Sequence, residues 1–216
     1  MKIRSSLLLV LAIAATTAGC SSKGEIVVEE GVGVTAVRSR CPAVGIPDYT
    51  GDVTLFGPSG EKTAANIDVE AVMTKVRSQC TEGPDQVYAT VSFDVLARRA
   101  NTQGSRQVAL PYFVTVLRGG TAVVTKRIGT VTLNFADGQA RAQARAEGSA
   151  YVDRAEATLP EDVRERITRK RKAGDADAAI DPMADPEVKA AVARATFELL
   201  VGFQLNESQL AYNATR

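Results

Sequence analysis

The sequence of 216 residues contains no histidine. Histidine is the general base of Ser-His-Asp and Cys-His sites and a common zinc ligand, so these catalytic and metal sites are excluded. The glycine patterns of dinucleotide-binding loops, phosphate-binding loops and the hydrolase nucleophile elbow are absent as well. The sequence therefore predicts a protein that is not an enzyme and that binds no metal and no cofactor. A Ser-Lys hydrolase or a glycosidase with two carboxylates is the catalytic alternative that stays open.

An excess of charge of either sign is also lacking, since 26 lysine and arginine residues stand against 25 aspartate and glutamate residues. A nearly neutral chain has no general attraction for nucleic acid, and we expect no nucleic-acid partner. Hydrophobic residues make up 45% of the sequence and charged residues 24%. These proportions are typical of a folded globular domain.

The first nineteen residues have the pattern of an export signal. Lys2 and Arg4 provide a positive start, and residues 7–15 form an uninterrupted apolar run. A membrane-spanning helix needs about 20 apolar residues, so this run is too short to span a bilayer. The pattern predicts a cleavable signal peptide over residues 1–19.

The phrase Thr17-Ala-Gly-Cys20 resembles the lipobox of bacterial lipoproteins. In that family the cysteine thiol receives a diacylglycerol, the chain is cleaved before the cysteine, and the new amino group is often acylated with palmitate. The family usually has leucine in place of Thr17, and cleavage of an ordinary secretory signal near Ala18 is the alternative. The resemblance implies a lipid on Cys20 and a tether over residues 20–31, because two or three acyl chains hold a protein durably on a membrane. Since Ser21 is not aspartate, it also implies the outer membrane, facing the periplasm, with the inner membrane as the alternative.

Two cysteines remain once Cys20 is assigned to lipid. Cys41 and Cys80 pair most simply as one disulfide in an oxidising periplasm. On the chain-entropy model a loop of this length contributes about 4 kcal/mol of stability. A metal-binding or redox pair is the alternative, but such pairs have closer spacing, as in Cys-x-x-Cys.

Several segments alternate apolar and polar residues with a period of two, which is typical of strands with one buried face. The segments of this kind are 87–97, 108–117, 122–128, 131–135 and 195–205. Glycines at 119–120 and 138 predict turns between neighbouring strands. The segment 139–150 is a strand by its period and a helix by its alanine and glutamate content, and we predict a strand.

Two helices are predicted in the second half of the chain. The first covers 161–172, because Pro160 precedes it, Glu161 and Asp162 begin it, and basic residues end it before Gly174. The second covers 186–192, with Asp185 as its N-cap.

Many short strands joined by turns predict a mainly β protein that folds as an antiparallel β-sandwich. The pattern resembles immunoglobulin-like and fibronectin-like sandwiches, with a helical insertion at 160–192 before the last strand. The missing tryptophan departs from true immunoglobulin domains. We expect a single domain over 32–216, in which 32–66 forms either extra strands of the sandwich or a small separate strand-rich lobe.

The end of the first predicted helix is the strongest local cluster of positive charge. Such a cluster can bind lipid headgroups, lipopolysaccharide phosphates or anionic wall polymers. The alternative, which we favour, is a solvated helix face that is partly neutralised by neighbouring acids. The residues of this basic cluster are Arg164, Arg166, Arg169, Lys170, Arg171 and Lys172.

The loop that follows carries three carboxylates, Asp175, Asp177 and Asp181. Calcium binds carboxylates, but an EF-hand loop counted from Asp175 needs glycine at its sixth position and glutamate at its twelfth. This chain has Ile180 and Pro186 there. We therefore predict no metal site, and we expect the acidic loop to fold back on the basic cluster.

Two segments resemble those of uncharacterised envelope lipoproteins of alphaproteobacteria, namely Leu110-Pro-Tyr-Phe113 and residues 202–213. The resemblance implies a location and not a chemistry, and we expect the aromatic residues of both segments to pack in the core. The sequence thus predicts a membrane-anchored, non-enzymatic structural or accessory interaction module with a protein partner in the envelope. The alternative is a ligand-binding protein, or the hydrolase named above, that uses a pocket in the sandwich.

Overall fold

The computed structural model describes residues 39–172 and 174–216. The predicted signal peptide, Cys20 and the predicted tether lie outside the described residues. The described strands are β1 Ala43–Gly45, β2 Asp52–Phe56, β3 Ile67–Glu82, β4 Gln86–Arg99, β5 Arg106–Arg118, β6 Ala122–Phe135, β7 Arg141–Asp153 and β8 Phe197–Phe203. The described α-helices are α1 Glu161–Thr168, α2 Pro186–Ala195 and α3 Glu207–Thr215, and short 3-10 helices cover Ala64–Asn66 and Pro182–Ala184.

The protein is mainly β, and its strands form two four-stranded sheets in a sandwich-like arrangement. Sheet 1 has the strand order β1-β8-β5-β6, and sheet 2 has the order β2-β3-β4-β7. Paired strands are antiparallel, except that β1 runs parallel to β8. The prediction of a purely antiparallel sandwich is therefore wrong at this one edge. The chain between residues 39 and 66 supplies one edge strand to each sheet.

One hydrophobic core contains inward-facing residues of both sheets. Phe93 of sheet 2 and Phe135 and Phe203 of sheet 1 are each at most 1% exposed. The alternation predicted for β4, β5 and β8 places the apolar positions on the buried face, as a period of two requires. β7 contributes chiefly alanines to this face, and only Ala150 and Val152, near its end, are buried.

The two sheets approach closely beside Tyr112, which is buried in β5. Its hydroxyl donates a 2.9 Å hydrogen bond to the backbone carbonyl of Glu147 in β7. Its ring covers Gly129, where a Cβ atom would lie 2.5 Å from the ring. Gly148 is equally constrained, since its Cβ would lie 2.4 Å from Val114. Glycine at both positions permits this inter-sheet hydrogen bond.

A buried arginine organises the loops at one end of the sandwich. Arg99 is 4% exposed and its guanidinium donates to the backbone carbonyls of Thr102, Gly104, Ala136 and Gln139 at 2.8–2.9 Å. It also lies over the ring of Phe135, 5.2 Å from the centroid. Carbonyl dipoles and an aromatic face thus compensate the buried charge, and the β4–β5 and β6–β7 connections are held together.

The predicted disulfide is confirmed: Cys41 is bonded to Cys80. Cys80 lies in β3 of sheet 2, and Cys41 lies just before β1 of sheet 1. The bond therefore joins the two sheets covalently.

The helices that precede β8 pack on each other around a second, smaller apolar cluster. α1 begins at Glu161, as predicted, but ends at Thr168 instead of residue 172. A longer helix would place Arg169 and Lys170 three and four residues after Arg166, and like charges at this spacing repel. α2 begins after Asp185, which accepts from the backbone N–H groups of Glu187 and Val188, and it extends to Ala195. The cluster consists of Val163, Ile167, Val188, Ala191 and Val192.

The C-terminal helix α3 was not among the predicted elements. Asn206 and Gln209 form a capping box at its start. Near its end, the side-chain amide of Asn213 donates to the backbone carbonyls of Tyr49 and Asp52, each at 2.8 Å. Tyr212 is half-buried and packs edge-on against Phe56 at 5.1 Å, so it does not enter the main core.

The chain separates into two compact units. Both sheets and all three α-helices belong to the unit that includes residues 39–169 and 180–216. Lys170–Ala179 belongs to the other unit. Within that segment Arg171 Nε lies 3.5 Å from a carboxylate oxygen of Asp177, and the backbone N–H of Lys172 donates to Asp175 at 2.9 Å. These local contacts join the acidic loop to the end of the basic cluster, as the sequence predicted.

Candidate interaction site

A hollow lies on the outer face of sheet 2, at the end of the sheet near α3. Its volume is about 780 Å³. Two rows of side chains cross this face from β2 to β7, and their positions follow from the strand register. The first row is Asp52, Val72, Leu96 and Gln143, and the second is Thr54, Glu70, Arg98 and Arg141. We call this surface the outer-face hollow.

The first row places two large apolar side chains beside each other in water. Val72 and Leu96 are direct cross-strand partners and are 45% and 39% exposed. The outer face of an antiparallel sheet is usually polar, because only its inner face packs on the core. The two side chains form a small apolar patch on that face that is open to contact with another molecule.

The second row places two arginines opposite each other, because Arg98 and Arg141 are cross-strand partners. Like charges in that position destabilise a sheet unless an anion lies near them. Glu70 partly fills this role, since its carboxylate lies 2.5 Å from Arg98. Among the described residues Arg141 has no ion pair within 4 Å. Val72 and Leu96 therefore form the apolar floor of the hollow, and Arg141 beside them is available to pair with a carboxylate of another molecule.

Arg216, which directly follows α3, lines a further side of the hollow. Arg216 pairs with Asp52 and donates to the hydroxyl of Thr54 at 3.3 Å. Its guanidinium also lies 5.5 Å from the ring centroid of Tyr212. Asn213 binds the carbonyls of Tyr49 and Asp52, so the end of α3 is fixed to the start of β2 and to the turn before it, and this positions the side of the hollow.

Three members of the predicted basic cluster, Arg164, Arg166 and Arg171, form separate ion pairs. Arg164 pairs with Glu161 at 2.5 Å, and the hydrogen bond and charge of this carboxylate raise the pKa of Arg164. Arg166 pairs with Asp185. The backbone N–H of Glu187, followed by Arg166, lowers the pKa of the Asp185 carboxyl. Arg169 follows the last residue of α1, and residues 170–172 belong to the other unit. The structure thus gives Arg164 and Arg166 roles inside the helical segment.

A second cavity lies between the chain around Cys41 and the helices α1 and α2. Its volume is about 350 Å³, within the range of small-molecule sites. Its apolar wall includes Leu159, Ile167, Val192 and Phe197, and Arg40 and Arg164 stand among its polar residues. The Arg40 guanidinium donates to the Thr158 hydroxyl at 2.9 Å and to Glu82 at 3.0 Å. We call this the helix pocket.

Lipid attachment and metal binding were also considered in the sequence at Cys20 and at the acidic loop. Cys20 lies outside the described residues. Within residues 39–172 and 174–216, no three carboxylates or cysteines are grouped closely enough to hold a metal ion. Asp181 accepts from the backbone N–H of Met183 and so caps the short helix Pro182–Ala184.

Comparison of the chain with protein-family models, with curated proteins and with solved structures finds no match. No helix in the described part of the chain is long and apolar enough to span a membrane.

Proposed function

We propose that this protein is a non-enzymatic interaction module of the cell envelope that binds a protein partner through the outer-face hollow. The observation that carries the proposal is the exposed pair Val72 and Leu96 next to the opposed arginines Arg98 and Arg141. A complementary surface would offer one or two apolar side chains beside a carboxylate. Burial of aliphatic side chains supplies affinity, and a carboxylate between two arginines supplies specificity.

The proposal includes the location of the module. Cys20, in its lipobox-like motif, would carry the lipid, and a tether over residues 20–31 would join it to the described residues, which would face the periplasm at the outer membrane in preference to the inner. The disulfide between Cys41 and Cys80 supports a compartment outside the reducing cytosol. In fold, we propose an immunoglobulin-like or fibronectin-like architecture with a helical insertion, supported by the two packed four-stranded sheets and by α1 and α2 before β8.

Site-specific photo-cross-linking in intact cells tests the partner. A photoreactive residue at Leu96 should give a discrete adduct, because this position forms the apolar floor of the hollow. The matched control is Thr132, which is exposed on the outer face of sheet 1. Arg141→Glu should reduce the Leu96 adduct without changing the abundance of the protein. No adduct at Leu96, or the same adducts at Leu96 and Thr132, would contradict the proposal.

A second candidate function is the binding of a small apolar ligand, favoured by the helix pocket. A fluorescent apolar amine such as N-phenyl-1-naphthylamine should bind the purified protein and brighten. Ala195→Phe should abolish this signal by filling the pocket, whereas Ala190→Phe, on the exposed side of α2, should not. Equal signals from the wild type and both variants would remove the candidate.

A further inference from the structure

The hairpin of β5 and β6 carries the most exposed aliphatic residues of the two sheets. Val123, Val124 and Ile128 are 64%, 53% and 56% exposed. They lie in the first half of β6, the edge strand of sheet 1, where both faces of the strand are open to water. The register of β5 and β6 shifts beside Val124, so the hairpin end bulges and turns its aliphatic residues outward.

Positive charge accompanies these residues and negative charge is absent from the strand. Lys126 and Arg127 lie between the two valines and Ile128, and β6 contains no aspartate or glutamate. Lys126 Nζ lies 5.2 Å from the ring centroid of Phe113, so the aliphatic stem of this lysine lies along the apolar surface. Basic residues on an edge strand also discourage pairing with a second copy, because two such strands would repel.

The hairpin lies at the end of the sandwich from which the described chain begins. One row of sheet 1 runs through Ala43, Glu198, Leu117 and Val123. Three strand spacings separate the first and last of these residues, about 14 Å. Ser39, the first described residue, precedes Ala43 on the hairpin side of this row. The described chain therefore enters the sandwich at the same end as the hairpin.

We infer that the β5–β6 hairpin is a membrane-docking surface for anionic phospholipids, which orients the domain on the bilayer that holds its lipid. This inference rests on the proposed lipid anchor. Aliphatic residues flanked by lysine and arginine suit the boundary between acyl chains and anionic headgroups. A tether raises the effective concentration of the hairpin at the surface, so a weak contact is sufficient. The outer-face hollow is on the other sheet and is left for the protein partner.

A fluorescent probe at the hairpin tests this docking in the full lipidated protein. Val124→Cys provides one reactive thiol when Cys20 is acylated and Cys41 and Cys80 are bonded. Labelled with the environment-sensitive dye NBD, it should show a blue shift on vesicles that contain phosphatidylglycerol, and a much smaller one on phosphatidylcholine alone. Thr132→Cys, about 26 Å further along β6, is the control and should stay unshifted. The charge reversals Lys126→Glu and Arg127→Glu should weaken the response roughly tenfold or more.

Flotation of the same samples separates the two proposals. An anchored protein floats with both vesicle compositions, whereas docking by the hairpin alone gives flotation only with the anionic vesicles. If the protein floats with both compositions, its anchor is retained. If the probes at positions 124 and 132 then give the same unshifted emission, the docking surface is contradicted. An NBD shift that is unaffected by the charge reversals contradicts it too. Flotation with neither composition contradicts both proposals.

Discussion

At the scale of single residues, Arg99 is a buried side chain that donates to four backbone carbonyls of two loops. Its charge is buried and is matched by backbone carbonyls instead of a carboxylate. Neighbouring Arg98 points to the opposite face, and its side chain is 71% exposed. The two arginines are adjacent in sequence, but Arg98 is exposed and Arg99 is buried. Substituting each in turn therefore compares the loss of stability at an exposed and at a buried arginine.

Arg99→Met should lower the free energy of unfolding by roughly 3 kcal/mol or more, since the buried carbonyls lose their donor. Arg98→Met should lower it by less than about 1 kcal/mol, because its ion pair with Glu70 is screened by water. Urea denaturation of both variants measures the difference. Equal losses would mean that Arg99 does not hold the loops together.

The sequence could not distinguish these two arginines by residue type. The predicted strand ended at residue 97, and β4 extends to Arg99; a period of two continued over these residues places the two arginines on opposite faces, with Arg99 on the buried one. The carbonyl partners come from two loops that meet only in the folded chain, so no local pattern predicts them. Val72 and Leu96 are another such case, because their proximity depends on the register of β3 with β4.

At the scale of the elements, two further links join the sheets in addition to the core and the Tyr112–Glu147 hydrogen bond. One is the disulfide between Cys41 and Cys80. The other is a two-point ion pair in which Arg106, at the start of β5, contacts both carboxylate oxygens of Asp68, near the start of β3, at 2.6 and 2.7 Å.

Replacing Cys41 by serine should destabilise the protein by about 4 kcal/mol, because the open chain gains the entropy that the 39-residue separation had restricted. The variant Cys80→Ser should behave in the same way. Reductant should lower the denaturation midpoint of the wild type and leave both variants unchanged. Two alkylatable thiols in the native exported protein would contradict the disulfide.

The Asp68–Arg106 pair predicts a dependence of stability on pH. The hydrogen bond from Arg106 lowers the pKa of the Asp68 carboxyl, although partial burial opposes this effect. A carboxyl with a lower pKa in the folded state stabilises the fold above its unfolded pKa of about 3.9. That contribution disappears as the pH falls through the folded pKa. The pair is accessible to water, so we expect less than about 1 kcal/mol.

Asp68→Asn should therefore be less stable than the wild type at neutral pH, and the difference should shrink below about pH 4. Denaturation curves at a series of pH values measure it. In the background of Arg106→Met the same substitution should show no such pH dependence. A difference that is constant with pH would show that the pair does not link protonation to folding.

Element prediction succeeded where the hydrophobic period was clear and failed where capping or charge decided the outcome. The period of two predicted β4 and β5, and it outweighed the helical propensity of the segment that forms β7, because this segment pairs along its whole length with β4. The end of α1 was wrong, since charge repulsion after Thr168 was not weighed. α3 was missed, although Asn206 and Gln209 carry the signal of a capping box.

At the scale of the whole molecule, the two-sheet domain has two outward surfaces for which we propose partners. The outer-face hollow on sheet 2 is proposed for a protein partner, and the β5–β6 hairpin is proposed for the bilayer. Both proposals assume that the domain is held at a membrane, which gives the hairpin a target and the hollow an envelope partner. The anchor at Cys20 is thus the claim on which the others depend.

Membrane partition of the Cys20→Ala variant tests this claim most directly. Wild-type protein in a detergent phase separation should enter the detergent phase, because each buried methylene group of its acyl chains contributes about 0.8 kcal/mol. The Cys20→Ala protein should be recovered in the aqueous phase or as unprocessed precursor, and mass analysis should find no lipid on it. If the processed Cys20→Ala protein still enters the detergent phase, or if the wild type carries no lipid on Cys20, the account of an anchored module is contradicted.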